Sequence, residues 1–216
     1  GQTQFMPSSF MKYAVDYDGD GHKNIWTSIP DAIASTANYL AGYGWRRGET
    51  WGYEVVIPSG FDFSAHEPQT GRSFPQWAGL GVRRADGEAM PSGGEASLFL
   101  PAGARGPAFL ITPNFRVIKS YNNSQAYALG VAILSDRIAG AGSLAAKWPT
   151  GDKPLTTAQA MEMQRHLNRL GLDAGKVDGK IGEQVQTAIR AFQKRRGLTP
   201  DGYATVSLLE QMRSHR

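Results

Sequence analysis

Asp16-Tyr17-Asp18-Gly19-Asp20-Gly21-His22-Lys23-Asn24 follows closely on Gln4-Phe5-Met6-Pro7-Ser8-Ser9, and the loop and hexapeptide together set the reading of the N-terminal half. Asp16, Asp18 and Asp20 stand at positions one, three and five of an EF-hand-like loop, Gly21 permits the sharp turn at six, and His22 offers its main-chain carbonyl at seven. Hard oxygen ligands of this kind favour calcium. Position twelve is Thr27, so the bidentate glutamate that completes a calmodulin-type site is absent, and Asp31 is the expected substitute. The alternative is an ion-free turn rich in Asp and Gly, because both residues favour turns on their own.

Outward from the loop, Ile29 to Tyr43 reads as a helix, with Ser28 as cap, Pro30 in the first turn, and Gly42 and Gly44 to end it. Ile33, Ala37 and Leu40 recur on one face. A second helix is expected from about Asn123, where Tyr127, Val131, Leu134 and Ile138 recur until Gly140 and Gly142 break the run. Between the two, Tyr53-Glu54-Val55-Val56-Ile57, Ser97-Leu98-Phe99-Leu100 and Ala108-Phe109-Leu110-Ile111 read as short strands bounded by Gly and Pro. The expected fold class is α+β: a helical domain over 1–142 with a small β insertion at about 46–118.

Residues 143–155 read as a linker, stiffened by the prolines of Trp148-Pro149-Thr150-Gly151-Asp152-Lys153-Pro154. An all-α three-helix domain is expected over 156–216. Thr156 and Gln159 form a capping box, Ala160, Met163, Leu167 and Leu170 share a face, and Gly171-Leu172 stops the helix. The layout then repeats through Val185, Ala188, Ile189 and Phe192 to Gly197-Leu198, with a third helix carrying Val206, Leu209 and Met212. Each stop is followed by an Asp-Gly turn, at Asp178-Gly179 and Asp201-Gly202, where Gly accepts positive φ.

Bulk properties bound the function without naming it. The 216 residues are 41% hydrophobic and 19% charged, enough to bury a core. No apolar run is long enough for a membrane span. The absence of cysteine excludes disulfides, thiol catalysis and Cys-ligated zinc. A net charge of +4 favours anionic surroundings, but the Lys and Arg residues are scattered, which argues against nucleic acid.

The region from about Gly1 to Gly140 resembles the B-type lytic murein transglycosylases of glycoside hydrolase family 103. The resemblance rests, in order, on Gln4-Phe5-Met6-Pro7-Ser8-Ser9, the helix Asp31-Ala32-Ile33-Ala34-Ser35-Thr36-Ala37-Asn38-Tyr39-Leu40, Pro101-Ala102-Gly103-Ala104-Arg105-Gly106-Pro107 and Tyr121-Asn122-Asn123-Ser124-Gln125-Ala126-Tyr127-Ala128. The segment from about Thr156 to Met212 resembles the three-helix peptidoglycan-binding domain, with Val185 where that family usually has threonine.

These resemblances imply the C-terminal part of a lysozyme-like domain with a β insertion and an EF-hand-like loop, in a lyase that cleaves the β-1,4 bond between N-acetylmuramic acid and N-acetylglucosamine. They also imply substrate contacts at Gln4, Tyr39, Tyr121, Asn122 and Tyr127, and a structural calcium at Asp16, Asp18, Asp20, His22 and Asp31, with no organic cofactor. Gln4, Tyr121 and Asn122 also fit as cap or turn residues, and Tyr39 and Tyr127 as core aromatics. In the family a single glutamate protonates the leaving oxygen and then serves as base while the muramyl 6-hydroxyl attacks the anomeric carbon, giving a 1,6-anhydro product. That glutamate is expected N-terminal to Gly1. Within the chain, Asp16, Asp18, Asp20 and Asp31 belong to the cation loop, while Glu49, Glu54, Glu67, Glu88 and Glu95 lie in the insertion or at its borders. The expected partners are peptidoglycan glycan strands and the N-terminal part of the same enzyme, with no nucleic acid. The expected location is the periplasm at the cell wall, with room for a lipid anchor upstream. A non-catalytic wall-binding fragment of such an enzyme is the alternative.

Overall fold

The computed structural model describes residues 2–63, 71–151 and 153–214, so Gly1, Glu67 and the linker residue Asp152 lie outside the described residues. The fold divides into two compact units, Gly1–Gly52 with Ile111–Gly142, and Tyr53–Leu110 with Ser143–Arg216. Among the described residues no helix is long and apolar enough to cross a membrane.

The first unit is helical. Helix α1 (Pro7–Tyr13) starts on a proline, whose fixed φ suits a first turn. Helix α2 (Ile29–Gly42) starts at Ser28, whose side chain accepts the Asp31 N–H, as the sequence predicts. The buried face of α2 differs from the expected one. Ile33 is 66% exposed, whereas Asp31, Ala32, Ser35 and Tyr39 are buried. The reason is polar: Ser35 Oγ accepts the Val15 N–H at 3.0 Å and Asn38 Nδ2 donates to the Tyr13 carbonyl at 3.0 Å, so the side that holds backbone faces inward.

The second unit begins with strand β1 (Gly52–Val56), β2 (Arg72–Ser73), helix α3 (Phe74–Gly79), β3 (Arg83–Arg84), β4 (Glu95–Phe99), a 3-10 turn (Gly103–Arg105) and β5 (Ala108–Ile111). Among the described residues the strands form one sheet in the order β2-β4-β5-β1-β3. Val55 pairs antiparallel with Arg84, and Arg72 with Ala96. Trp77, fully buried, donates its indole N–H to the Ala96 carbonyl at 2.9 Å, fixing α3 to the sheet.

Back in the first unit, α4 (Pro113–Tyr121) is capped by Thr112, and α5 (Gln125–Ile138) by Ser124. The expected α5 stripe also faces outward: Leu134 is 57% and Ile138 80% exposed, while Ala128, Leu129 and Ala132 are buried. Small residues let α5 lie close to α4, so packing selects the alanine side over the larger apolar one.

The C-terminal helices, α6 (Thr157–Arg169), α7 (Glu183–Arg195) and α8 (Val206–Arg213), follow the sequence pattern except at Leu170, which is expected on the α6 core face but is the C-cap and is exposed. The Thr156–Gln159 capping box forms, and Met163, Leu167, Val185, Ile189, Phe192, Leu209 and Met212 share one core. Two buried glutamines clamp the turns. Gln164 Oε1 accepts the Asp178 and Gly179 N–H groups, and Gln193 Oε1 accepts the Gly202 N–H.

Asn114 anchors the start of α4. It is fully buried, its Oδ1 accepts the Arg46 N–H at 2.8 Å, and its Nδ2 donates to the Arg46 and Glu49 carbonyls at 2.9 and 2.7 Å. Asn114→Ala orphans these backbone groups and is expected to lower unfolding free energy by roughly 3 kcal/mol. Urea denaturation measures it, and a change within error would mean water replaces the amide.

Candidate functional site

The acidic loop is organised by one carboxylate. Asp31, fully buried in the first turn of α2, accepts backbone N–H groups from Tyr17 at 2.7 Å and Asn24 at 2.8 Å, with a longer contact from Asp18 at 3.4 Å. The bonds from Tyr17 and Asn24 hold its pKa below the ordinary aspartate range, against the opposing effect of burial. Asp16 accepts the Gly19 and Gly21 N–H groups at 2.7 and 2.9 Å, closing the loop, and Ser28 donates its hydroxyl to Asp18 at 2.7 Å. Gly19 and Gly21 carry positive φ of 77° and 90°, which only glycine adopts freely.

Asp16, Asp18 and Asp31 each offer one carboxylate oxygen within 4.8 Å of the others, close enough to share a metal ion. Asp20 and His22 are outside that group; Asp20 Oδ1 instead accepts the His22 N–H at 2.8 Å, and both side chains are exposed. Three carboxylates so close repel one another unless a cation neutralises them, and an all-oxygen donor set fits a hard divalent ion.

Fourteen-residue α2 carries this loop at one end and Tyr39 near the other. Tyr39 is 7% exposed, stacks on Tyr43 at 4.5 Å, and meets Tyr13 and Tyr121 edge-on at 4.9 Å each. Its hydroxyl donates to the Ser120 carbonyl at 2.8 Å. Burial and then the neighbouring Tyr43 push the phenol far above its usual range, so it stays a neutral donor. Tyr39 therefore supports Tyr121 from beneath.

Tyr121 ends α4 and is half-buried, and its hydroxyl donates to the Thr3 carbonyl. Burial raises its pKa, Tyr127 adds in the same direction, and a hydrogen bond with Thr36 opposes. The bond to Thr3 spans 118 positions and brings the Gln4 segment to the α4–α5 corner. Thr3 and Gln4 are the non-glycine residues at positive φ among the described residues, 63° and 51°. Such backbone persists where its surroundings over-determine it, as Phe5 does here by packing on Tyr39 and Tyr121 at 5.6 and 6.1 Å. Asn122, exposed, is the C-cap of α4, and Tyr127, 40% exposed, lies in the first turn of α5. Beside Gln4, a surface depression of about 570 Å³ runs along Phe5, Met6 and Phe10 to Trp26. The Gln2 and Gln4 amides in its lining can hydrogen-bond hydroxyl or acetamido groups, and the Phe5, Phe10 and Trp26 faces can cover sugar C–H surfaces.

The transglycosylase SLT domain model matches residues 1–136, and a peptidoglycan binding domain model matches residues 156–212. The structure superposes on SltB3 from Pseudomonas aeruginosa, solved in complex with NAG-anhNAM-pentapeptide, with a TM-score of 0.92 and 49% identity over 97% of this chain and 57% of that one. Membrane-bound lytic murein transglycosylase B of Escherichia coli is 37% identical over 145 residues, 64% of this chain and 37% of that protein. An Escherichia coli lytic transglycosylase solved in complex with calcium gives 36% identity and a TM-score of 0.51, covering 63% of this chain and 42% of that one. The chain thus spans little more than a third of the curated relative and 57% of SltB3. The architecture is a lysozyme-like SLT fold with a small sheet, followed by a helical peptidoglycan-binding domain, as the sequence implies.

Asp31 has a folded pKa below its unfolded one, so its contribution to stability is complete above the ordinary aspartate range and disappears as pH falls through the lower, folded value. Asp31→Asn is expected to lower the melting temperature by several degrees at pH 7 and to flatten its decline between pH 5 and 3. Calorimetry in chelator decides it, and parallel pH curves would mean Asp31 is not the organising carboxylate.

Proposed function

We propose, for a chain that belongs to the transglycosylase SLT family, that it forms part of a lytic transglycosylase acting on peptidoglycan. The reaction is cleavage of the β-1,4 bond between N-acetylmuramic acid and N-acetylglucosamine with formation of a 1,6-anhydro sugar. The observation that carries this reading is the joining of the Thr3-Gln4 segment to Tyr121 through the Tyr121 hydroxyl, with the Gln4 amide in the lining of the depression along Phe5 and Met6. Gln4 and Asn122 hold acetamido or hydroxyl groups of the strand, Tyr121 and Tyr127 line it, and Tyr39 holds Tyr121 in place. Positioning of this kind lowers the entropy to be lost on the way to the transition state.

The proton donor is a glutamate from outside residues 1–216, in keeping with relatives that extend well beyond the part matched here. It protonates the leaving oxygen, then accepts the proton of the muramyl 6-hydroxyl as that oxygen bonds to the anomeric carbon, a scheme unlike two-carboxylate hydrolysis. Carboxylates of Asp16, Asp18 and Asp31 would hold a calcium ion in the EF-hand-like loop, with Asp20 and the His22 carbonyl as further oxygen donors. Its part is structural, tying the loop to α2. We assign 1–142 to the transglycosylase part, 143–155 to a linker, 156–216 to wall binding, and the whole to the periplasmic cell wall.

A longer protein containing this chain and the glutamate is expected to release 1,6-anhydromuramyl products from purified sacculi, and residues 1–216 alone almost none. Gln4→Ala and Asn122→Ala in the longer protein are expected to slow turnover at least roughly tenfold while sacculus binding persists. Mass spectrometry of the digest is the test; reducing-end muramic acid would make it a hydrolase, and strong release by residues 1–216 would place the acid within them. Separately, calcium added to chelator-treated protein is expected to raise the melting temperature by mass action, and no rise would leave the loop as an ion-free turn.

A further inference from the structure

The two Asp-Gly turns of the C-terminal helices are wired alike internally but not externally. In the first, Asp178 Oδ1 accepts from Gln164 Nε2 at 3.1 Å and from the Lys180 N–H at 2.9 Å. In the second, Asp201 Oδ1 accepts from Gln193 Nε2 at 2.7 Å and from the Tyr203 N–H at 2.9 Å. One carboxylate oxygen is thus enough to build each turn. The other oxygen of Asp201, Oδ2, accepts the Ala104 N–H at 2.9 Å, from a loop 97 residues earlier.

That loop is Pro101-Ala102-Gly103-Ala104-Arg105-Gly106-Pro107, and its approach is close. A Cβ on Gly103, which has φ of +68°, would lie 2.7 Å from Asp201 Oδ2 and 2.9 Å from Tyr203 Cβ. A Cβ on Gly106 would lie 3.3 Å from Pro149 Cδ. The chain between α5 and α6 is held to the same sheet, since the Glu54 carboxylate of β1 accepts the Ala145 and Ala146 N–H groups at 2.9 and 2.8 Å. All these residues belong to one compact unit.

We infer that the Asp201-Gly202 turn is a socket for the chain's own 101–106 loop, so that the β insertion and the three C-terminal helices move as one body and this turn is not a contact surface for the wall. Exclusion of the turn from wall contact rests on the peptidoglycan-binding reading of residues 156–216; the joint itself does not. Gly103 serves the joint by letting backbone approach where a side chain would intrude, whereas a Cβ on Gly106 would first meet Ala102 Cβ of the same loop at 2.7 Å.

Two variants of the full chain separate the joint from the turn. Asp201→Asn keeps one oxygen for Tyr203 and Gln193 but turns an NH2 donor towards the Ala104 N–H. Gly103→Val blocks the approach from the insertion side and leaves the helices untouched. Hydrogen exchange is expected to show the Ala104 amide opening at least roughly tenfold faster in both, with core amides of α6 to α8 unchanged and the amount sedimenting with sacculi as for the parent. An Ala104 amide as protected in both variants as in the parent overturns the joint. Sacculus binding lost in Asp201→Asn but kept in Gly103→Val overturns the socket assignment by making the turn a wall contact. If the parent itself does not sediment, the peptidoglycan-binding reading fails while the exchange data still decide the joint.

Discussion

A single buried carboxylate, Asp31, determines how the first unit is put together. By accepting N–H groups from Tyr17 and Asn24 it folds an acidic loop over the start of α2, where its negative charge also complements the helix dipole. With that end fixed, α2 presents Ser35, Asn38 and Tyr39 inward, and Tyr39 in turn meets Tyr121, whose hydroxyl holds the Gln4 segment. The acidic loop and the Gln4–Tyr121 corner are thus joined through α2. A loop that loosened would be felt at the Gln4 segment through the aromatic contacts of Tyr39, Tyr121 and Phe5.

The C-terminal helices were legible almost residue by residue because local rules and packing agree there. Thr156 and Gln159 cap α6 as their spacing demands, and the stripe Val185, Ala188, Ile189 and Phe192 is the one buried. In α2 and α5 periodicity pointed to the wrong face. Hydropathy cannot see that Asp31 and Ser35 are the residues with partners waiting, nor that Ala128 and Ala132 permit an approach that Leu134 and Ile138 would prevent. Gln164 and Gln193 were invisible for the same reason: a buried amide looks like a surface residue until the turn it clamps is in place.

The candidate site was readable as a set of residues but not as a geometry. Position in the acidic loop named Asp16, Asp18, Asp20 and His22, and the structure brings Asp16 and Asp18 to Asp31 while Asp20 turns to the His22 N–H. Tyr39 and Tyr121 stand on different helices, and their edge-on packing, one buried and one half-buried, depends on contacts across the fold. The positive φ at Thr3 and Gln4 has no local signal, since neither residue favours it.

The interleaving of the two units has a consequence for synthesis. The first is built from Gly1–Gly52 and Ile111–Gly142, the second from Tyr53–Leu110 and Ser143–Arg216. As the chain leaves the ribosome, the strands around Trp77 emerge long before α6 to α8, while the unit begun by α1 and α2 awaits α5. The insertion must therefore keep its Gly103 loop in a state that tolerates delay, because the carboxylate it closes upon, Asp201, follows 97 residues after Ala104. A chain interrupted after Gly142 would lack the Ser143–Arg216 part of the second unit, and with it the carboxylate that closes the Gly103 loop.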